Sequence, residues 1–244
     1  MAGRSFRKSV GATAAALCGL AALIAFATAF AFPAAAAVAC PQCYGFEELS
    51  PGVFLERGAS AAERTRVEAA LAEARRRVRD FYGDFSAPAR LLICESPHCY
   101  RRLGGGGSRG RTITDLAVFL SPQGANATIA AHELSHVQIH ERIGLIRTLK
   151  GDVPEWFVEG VAVLVSDDPR YLAPVGAADR CLLKPDGPLP TTLSAWVKSA
   201  AREQLYAKAA CAVSRWMAAK GGPNAVVALL DQIAKGGSFD AAYQ

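Results

Sequence analysis

Apolar side chains recur along the chain with two different spacings, and the spacing changes from strand-like to helical near the middle. Compact apolar runs at residues 52–58, 89–96 and 115–122 have the length and composition of strands. A helix is predicted at residues 60–82, where apolar positions follow helical spacing behind a Ser-x-x-Glu capping box. This order predicts a small mixed sheet with helices in the first part of the chain.

Helical spacing dominates the second part. A helix is predicted from Asn126, a favourable N-cap, to Ile143, and another begins near Pro154, a residue favoured in the first turn. Everything after Thr191 has helical composition. No repeat or low-complexity block interrupts the chain after the N-terminal segment. We therefore expect a single domain at residues 40–244, with an α+β fold and an all-helical C-terminal part.

The first 39 residues have the organisation of a secretory signal peptide. A basic start precedes an apolar run at residues 10–32, and small residues follow, which predicts cleavage near Ala39 and a secreted or periplasmic protein. An uncleaved membrane anchor is the alternative, because the apolar run is long enough to span a bilayer. A lipoprotein site at Cys40 is a further alternative, disfavoured by the alanine at position 37.

The charge balance says little about partners once this segment is set aside. The chain has 27 Lys and Arg against 22 Asp and Glu. Three of the basic residues and none of the acidic ones lie in residues 1–39, which leaves 24 basic and 22 acidic residues, a net charge of +2. The dense basic run at residues 74–80 lies in a predicted helix and is typical of a solvated face. We expect no nucleic-acid partner, and membrane contact only if residues 10–32 remain as an anchor.

The cysteine count predicts disulfides. Six cysteines remain when Cys18 leaves with the signal, and an even number in an exported chain indicates disulfide pairing. Sequence neighbourhood favours the pairs Cys40–Cys43, Cys94–Cys99 and Cys181–Cys211. The alternative is a structural zinc ion held by members of the set Cys40, Cys43, Cys94, Cys99 and His98.

The stretch AAHELSHVQIH at residues 130–140 carries the candidate chemistry. On a helix His132 and His136 lie on one face and can reach one zinc ion, while Glu133 can act on a water held by the metal without binding the metal itself. The alternative is a surface helix that matches the pattern by chance, but its apolar positions indicate a buried helix. His140 would lie about 12 Å along the helix axis from His132, so we expect it to be exposed or beside the ligands.

A third ligand must come from elsewhere in the chain. The metzincin pattern is excluded, because Ile139 and Arg142 stand where that class has glycine and histidine. The remaining acidic candidates are Asp152, Glu155, Glu159, Asp167 and Asp168.

Two segments resemble gluzincin metallopeptidases. VPEWFVEGVAVLVS (153–166) resembles their W-x-x-E-G-x-A segment, which implies that Glu159 is the third zinc ligand and that Gly160 leaves space for the neighbouring active-site helix. LYAKAACAVSRWMAAKGG (205–222) resembles a segment of the aminopeptidases of this clan, which implies that Tyr206 donates a hydrogen bond to the reaction's oxyanion. The alternative is that Tyr206 packs its helix into the core.

The whole of residues 50–244 resembles the small bacterial "peptidase MA-like" proteins of the gluzincin clan. This resemblance implies a zincin-like fold with an active-site cleft between the sheet and the C-terminal helices. The chain departs from thermolysin-type gluzincins at Val163, where they have an aspartate that orients a zinc histidine. It also lacks the exopeptidase motif of the aminopeptidases, so endopeptidase activity is the expectation.

The sequence thus predicts an exported zinc metallopeptidase that acts on a peptide or protein substrate, with Zn²⁺ as cofactor and Glu133 as the base that activates water. An extended substrate is expected to pair with the strand at residues 115–120. The glycine-rich stretch 104–110 is expected to be a flexible connector or a flap. Two alternatives are a zinc-binding scaffold without turnover and a zinc hydrolase of a non-peptide amide. The intact Glu133 favours an enzyme over a scaffold, because catalysis alone requires it.

Overall fold

The computed structural model describes residues 32–84 and 89–244, with the side chains of 201–203 left out. Residues 1–31, which make up most of the predicted signal peptide and of the alternative membrane anchor, lie outside this part of the chain. Among the residues that the structure describes, no helix is both long and apolar enough to cross a membrane.

The described chain combines one small sheet with many helices, an α+β architecture. The strands are β1 (Phe46–Ser50), β2 (Val53–Glu56), β3 (Arg90–Ile93), β4 (Gly110–Ile113) and β5 (Ala117–Leu120). The helices are α1 (Pro33–Ala39), α2 (Ala61–Tyr82), α3 (Pro97–Arg102), α4 (Ala127–Ile143), α5 (Leu145–Lys150), α6 (Glu155–Ser166), α7 (Leu193–Glu203), α8 (Leu205–Ala219), α9 (Pro223–Ala234) and α10 (Phe239–Tyr243). A short 3-10 helix, Pro41–Tyr44, follows α1.

The predicted helix boundaries agree closely with the structure. The capping box of α2 is present, with the Ser60 hydroxyl accepting from the Glu63 backbone and the Glu63 carboxylate accepting from the Ser60 backbone. Asn126 caps α4, which ends at Ile143 as predicted. The segment after Thr191 is helical throughout most of its length, which confirms the all-helical C-terminal part.

The sheet is mixed, as predicted, but it has five strands in the order β1-β2-β3-β5-β4. Strands β2, β3 and β5 run parallel, while β1 and β4 are antiparallel to their neighbours. The three predicted strands are the three central ones, and the two edge strands were missed. Because β5 is hydrogen-bonded on both sides, the prediction that residues 115–120 pair with a substrate is wrong: the free edge on this side belongs to β4.

Both faces of the sheet are buried, which explains why the sequences of its central strands are continuous apolar runs. One face packs against α2 and α4, and its side chains are Val53, Leu55, Leu91, Ile93, Val118 and Leu120. The opposite face contributes Phe46, Phe54, Leu92, Ala117 and Phe119 to a second cluster, which α1 and α3 cover. The first cluster continues through α4 into α6 and the C-terminal helices, including Phe157.

Helix α1 is a packed part of this second cluster. Ala37 is fully buried there, and Ala34 and Val38 are partly buried against it. The guanidinium of Arg90 donates a hydrogen bond to the main-chain oxygen of Val38. Cleavage near Ala39 would therefore remove an element that covers one face of the sheet.

All three predicted disulfides are present: Cys40–Cys43, Cys94–Cys99 and Cys181–Cys211. They indicate an oxidising or extracellular location. The alternative of a structural zinc ion is wrong, because these cysteine sulfurs are bonded to one another. Glu56, which lies near Cys94 and Cys99, instead accepts hydrogen bonds from the backbone of Glu95 and from the backbone and hydroxyl of Ser96.

Candidate metal centre

Helix α4 carries the two histidines of the HELSH stretch on one face. The Nε2 atoms of His132 and His136 lie 3.1 Å apart, and the rings meet edge to face. Most of the helix is buried, including Glu133 and His136. The alternative of an exposed surface helix is therefore wrong.

Helix α6 brings Glu159 to the same point. Its Oε2 lies 3.1 Å from Nε2 of His132 and 3.7 Å from Nε2 of His136. The helix begins directly after Pro154 and packs along α4, so residues distant in sequence meet across the helix pair. His132, His136 and Glu159 thus converge as the resemblance implied.

The other acidic candidates for the third ligand are placed elsewhere. Asp152, Asp167 and Asp168 each form a salt bridge with an arginine. Glu155 lies one turn before Glu159 and is outside the group of three converging ligand atoms. Glu159 is the acidic candidate that joins the two histidines.

The spacing of the three atoms fits a metal ion. Two ligands that bind a tetrahedral metal at about 2.0–2.1 Å lie about 3.3 Å from each other, and the separations here are 3.1, 3.1 and 3.7 Å. Oε2 of Glu159 is buried and accepts no hydrogen bond of good geometry within the described part of the chain. A buried carboxylate oxygen without such a partner is unfavourable, and a cation would satisfy it. This group can therefore hold a metal ion.

The pKa shifts of the three side chains act on metal binding in different directions. Burial lowers the pKa of His136 to about 3, so its ring is neutral. Burial also acts to lower the pKa of His132, but its contact with Glu159 and that carboxylate's charge outweigh burial and raise it. Burial acts to raise the pKa of Glu159, but the two histidines hold it below its usual value. A metal ion that binds Nε2 of His132 would compete with the proton that the contact with Glu159 favours.

Glu133 lies next to this group, and its carboxylate contacts the edge strand β4. Thr112 on the edge strand β4 donates its hydroxyl hydrogen to Oε2 of Glu133, at 2.6 Å, and also lies 3.1 Å from the main-chain oxygen of Glu133. The backbone of Gly110 approaches so closely that a Cβ atom there would lie 2.5 Å from Oε1. Burial raises the pKa of Glu133. The edge strand therefore determines where this carboxylate points, a role that sequence reasoning assigned to neither Thr112 nor Gly110.

His140 is half-buried, so the expectation of an exposed ring is wrong and the alternative position beside the ligands is right. Its ring stacks on that of His136 with the centroids 6.2 Å apart. Burial lowers the pKa of His140. A neutral ring at this position adds no positive charge next to the metal group.

Tyr206 borders the same group from α8. Its ring centroid lies 6.1 Å from that of His132, and the ring also stacks on Tyr171 and meets Trp196 edge to face. Burial and the charge of Glu159 raise the pKa of Tyr206, so its hydroxyl keeps its proton at neutral pH. Tyr206 is thus part of an aromatic cluster and a neighbour of the metal group, and its hydrogen bond to an oxyanion stays a prediction.

Gly160 leaves space for a neighbouring helix, as the resemblance implied. A Cβ atom there would lie 2.7 Å from both the main-chain oxygen of Ala209 and a methyl group of Val213. The missing side chain therefore makes room for α8, the helix that carries Tyr206. It sets the distance between the helix of Glu159 and the helix of Tyr206.

Val163 is buried against Leu172 and Ala210, so position 163 provides no carboxylate to orient a histidine. Asp168, almost fully buried, contributes a negative charge that acts to raise the pKa of His132. Asp168 is itself held by Arg170, whose Nε lies 2.9 Å from Oδ1. The sequence named Asp168 as a candidate ligand and did not predict this pairing.

Comparison of the chain with protein-family models, with curated proteins and with solved structures gave no match. Its likeness to gluzincins therefore depends on the residues quoted above, and what those residues do must be inferred from their geometry.

Proposed function

We propose that this chain is an exported zinc-dependent metallopeptidase of the gluzincin type, with a zincin-like fold. The observation that carries the proposal is the convergence of His132 Nε2, His136 Nε2 and Glu159 Oε2, with the buried carboxylate of Glu133 held beside them. Two imidazoles and one carboxylate are a ligand set typical of catalytic zinc, which leaves a further position open for the reaction.

A zinc ion bound by these residues would supply Lewis-acid chemistry, polarising the peptide carbonyl and making water acidic enough to attack it. Glu133 accepts the proton of the attacking water and later passes it to the leaving amine. Thr112 keeps the Glu133 carboxylate in place for both transfers through its hydrogen bond. The protonated hydroxyl of Tyr206 donates a hydrogen bond to the oxyanion that forms when water adds to the carbonyl.

The free edge of β4 is the place where an extended peptide would bind. This strand ends the sheet on the side of α4, and it carries Gly110 and Thr112 next to Glu133. A peptide that added to this edge would form main-chain hydrogen bonds and pass close to Glu133. Peptide binding is thus reassigned from the inner strand β5 to its neighbour.

The test compares the parent protein with Glu133→Gln, which keeps the shape of the side chain and removes its basicity. Zinc content is measured by elemental analysis, and hydrolysis is measured on a mixed peptide library by mass spectrometry. We expect both proteins to hold one zinc ion per chain and the parent alone to cleave peptides. His136→Ala is the matched control for the metal, and it should lose zinc and activity together.

The other outcomes point to the alternatives. If both proteins hold zinc and neither cleaves peptides, the chain is a zinc-binding scaffold or a hydrolase of a non-peptide amide. If neither protein holds zinc, the proposal of a catalytic zinc site is wrong.

A further inference from the structure

A pocket of about 590 Å³ opens beside the metal group, between the glycine-rich loop and the C-terminal helices. Its walls include Ser108 from the loop, Tyr171 from the irregular segment after α6, Trp196 and Val197 from α7, and Tyr206 from α8. Pockets that hold small ligands enclose about 300–1,000 Å³, so this one has room for a large side chain.

Tyr206 forms a wall shared by the pocket and the metal group. One side of the tyrosine faces His132, with ring centroids 6.1 Å apart, and its ring stacks on Tyr171 at 5.0 Å. A group that occupied the pocket would therefore be separated from the metal group by the ring of Tyr206.

The lining of the pocket is mostly apolar among the side chains that the structure describes. Trp196, itself almost fully buried, meets Tyr206 edge to face at 5.2 Å and supports that ring from behind. Among the described side chains the charged one in the lining is that of Arg170, which forms a salt bridge with the buried carboxylate of Asp168. Rings prefer edge-to-face and offset-stacked contacts with other rings, so this surface favours an aromatic side chain over a charged one.

Val197 extends this apolar surface to the rim. It is 70% exposed although it is a valine, and it lies in the pocket lining. A group that filled the pocket and covered part of Val197 would gain hydrophobic free energy from burying it.

We propose that this pocket binds an uncharged aromatic side chain of the substrate, at a position adjacent to the cleaved bond. The inference rests on the proposed peptidase function for the identity of the ligand, but the pocket itself can be tested without catalysis. It defines the substrate class as peptides with phenylalanine or tyrosine next to the cleavage site.

The first test measures kcat/KM for peptides that differ at one position, with Phe, Tyr, Asp or Lys beside the cleaved bond. We expect the aromatic peptides to be cleaved at least tenfold faster, a ratio typical of apolar pockets. Val197→Asp should lower kcat/KM for the aromatic peptides about tenfold. The matched control is Leu193→Asp, one turn earlier on α7, which is 61% exposed and outside the pocket lining; it should change kcat/KM less than twofold.

The second test titrates metal-free Glu133→Gln protein with N-acetyl-phenylalanine amide and, separately, with N-acetyl-aspartic acid amide, followed by NMR. We expect the aromatic amide to bind more tightly, and Val197→Asp but not Leu193→Asp to weaken it at least fivefold.

The outcomes separate the two proposals. If no peptide is cleaved but the aromatic amide binds and depends on Val197, the peptidase function fails and the pocket assignment stands. If peptides are cleaved with no aromatic preference, or with a preference for Asp, the pocket assignment is overturned and the function stands. Equal effects of Val197→Asp and Leu193→Asp would also overturn the pocket assignment.

Discussion

At the scale of single residues, the missing side chain of Gly110 leaves space for the carboxylate of Glu133. The carboxylate of Glu133 occupies the space where any other residue at position 110 would have its Cβ atom. Because Thr112 on the same strand donates a hydrogen bond to this carboxylate, strand β4 both makes room for the proposed base and holds it.

Gly110→Ala should therefore displace the base without removing the metal. The new methyl group would lie 2.5 Å from Oε1 of Glu133, so the carboxylate must turn away. We expect kcat to fall about 10²-fold, the scale of losing a positioned general base, while zinc content stays at one per chain. Gly106→Ala is the control, since a Cβ atom there meets nothing within 4 Å. Equal activity of Gly110→Ala and the parent would show that the position of Glu133 is not set by this contact.

Glu155 gives a prediction about stability and pH. Burial and the like charge of Glu159 raise the pKa of Glu155 to about 7 from its usual 4.5. The folded state therefore holds this proton more tightly than the unfolded state, so ionised Glu155 destabilises the fold. The penalty is absent below pH 4.5, grows as pH rises, and is complete above pH 7.

Glu155→Gln removes this penalty. In denaturant unfolding of the metal-free protein we expect a gain of about 1–2 kcal/mol at pH 8.5, allowing for the partial exposure of the side chain, and a smaller gain at pH 5. Glu68→Gln on the exposed side of α2 is the control and should change little at either pH. A gain that is equal at both pH values would contradict the explanation by ionisation.

At the scale of elements, the contact between α6 and α8 sets the separation of Glu159 and Tyr206. Gly160→Ala would place a methyl group 2.7 Å from the main chain of α8, which cannot yield as a flexible side chain can. We expect a loss of about 1–3 kcal/mol in the free energy of unfolding, as for other overpacked cores. Activity should fall further than stability explains, because Tyr206 moves with its helix. Gly106→Ala again serves as the control, and an unchanged free energy of unfolding for Gly160→Ala would show that the helices separate freely.

Helix α1 makes a second prediction at this scale. A chain that begins at Phe32 retains α1, whereas one that begins at Cys40 lacks it and exposes part of the second cluster. We expect the shorter chain to be less stable by about 2 kcal/mol, the scale of burying one to two apolar side chains.

Two substitutions test the same packing without truncation. Ala37→Glu should destabilise the longer chain because Ala37 is fully buried, while the exposed Ala35→Glu should not. If the two chain lengths are equally stable, α1 does not contribute to the folded domain, and processing near Ala39 would leave that domain intact.

At the scale of the whole molecule, the predictable features are those encoded within a single element. The capping box at Ser60 and the cap at Asn126 locate helices, and the i, i+4 spacing of His132 and His136 locates two ligands. These signals are local, so no knowledge of the tertiary fold was needed to read them.

The missed features depend on contacts between elements. Strand β1 contains two glutamates, and β4 is a half-exposed GRTI segment after a glycine-rich loop, so neither has the apolar pattern of a strand. The sheet stabilises them through hydrogen bonds to β2 and β5. Because β4 was not predicted, two features that depend on it were not predicted either. These are the hydrogen bond from Thr112 to Glu133 and the free sheet edge where a peptide could bind.

The residues of the metal group come from two helices that pack against different parts of the molecule, which gives the last prediction. His132 and His136 lie on α4, which packs under the sheet, and Glu159 lies on α6, which packs against the C-terminal helices. A metal that binds the folded chain alone stabilises it by about 4 kcal/mol at a thousand times its Kd, which corresponds to about 8–16 °C in Tm for a chain of this size. We expect thermal melts with zinc and with EDTA to differ by this amount.

Glu133→Gln should keep the difference, because that side chain is outside the ligand group, whereas His136→Ala should abolish it. A difference that survives in His136→Ala would place the metal at another site, and the proposed centre would have to be abandoned.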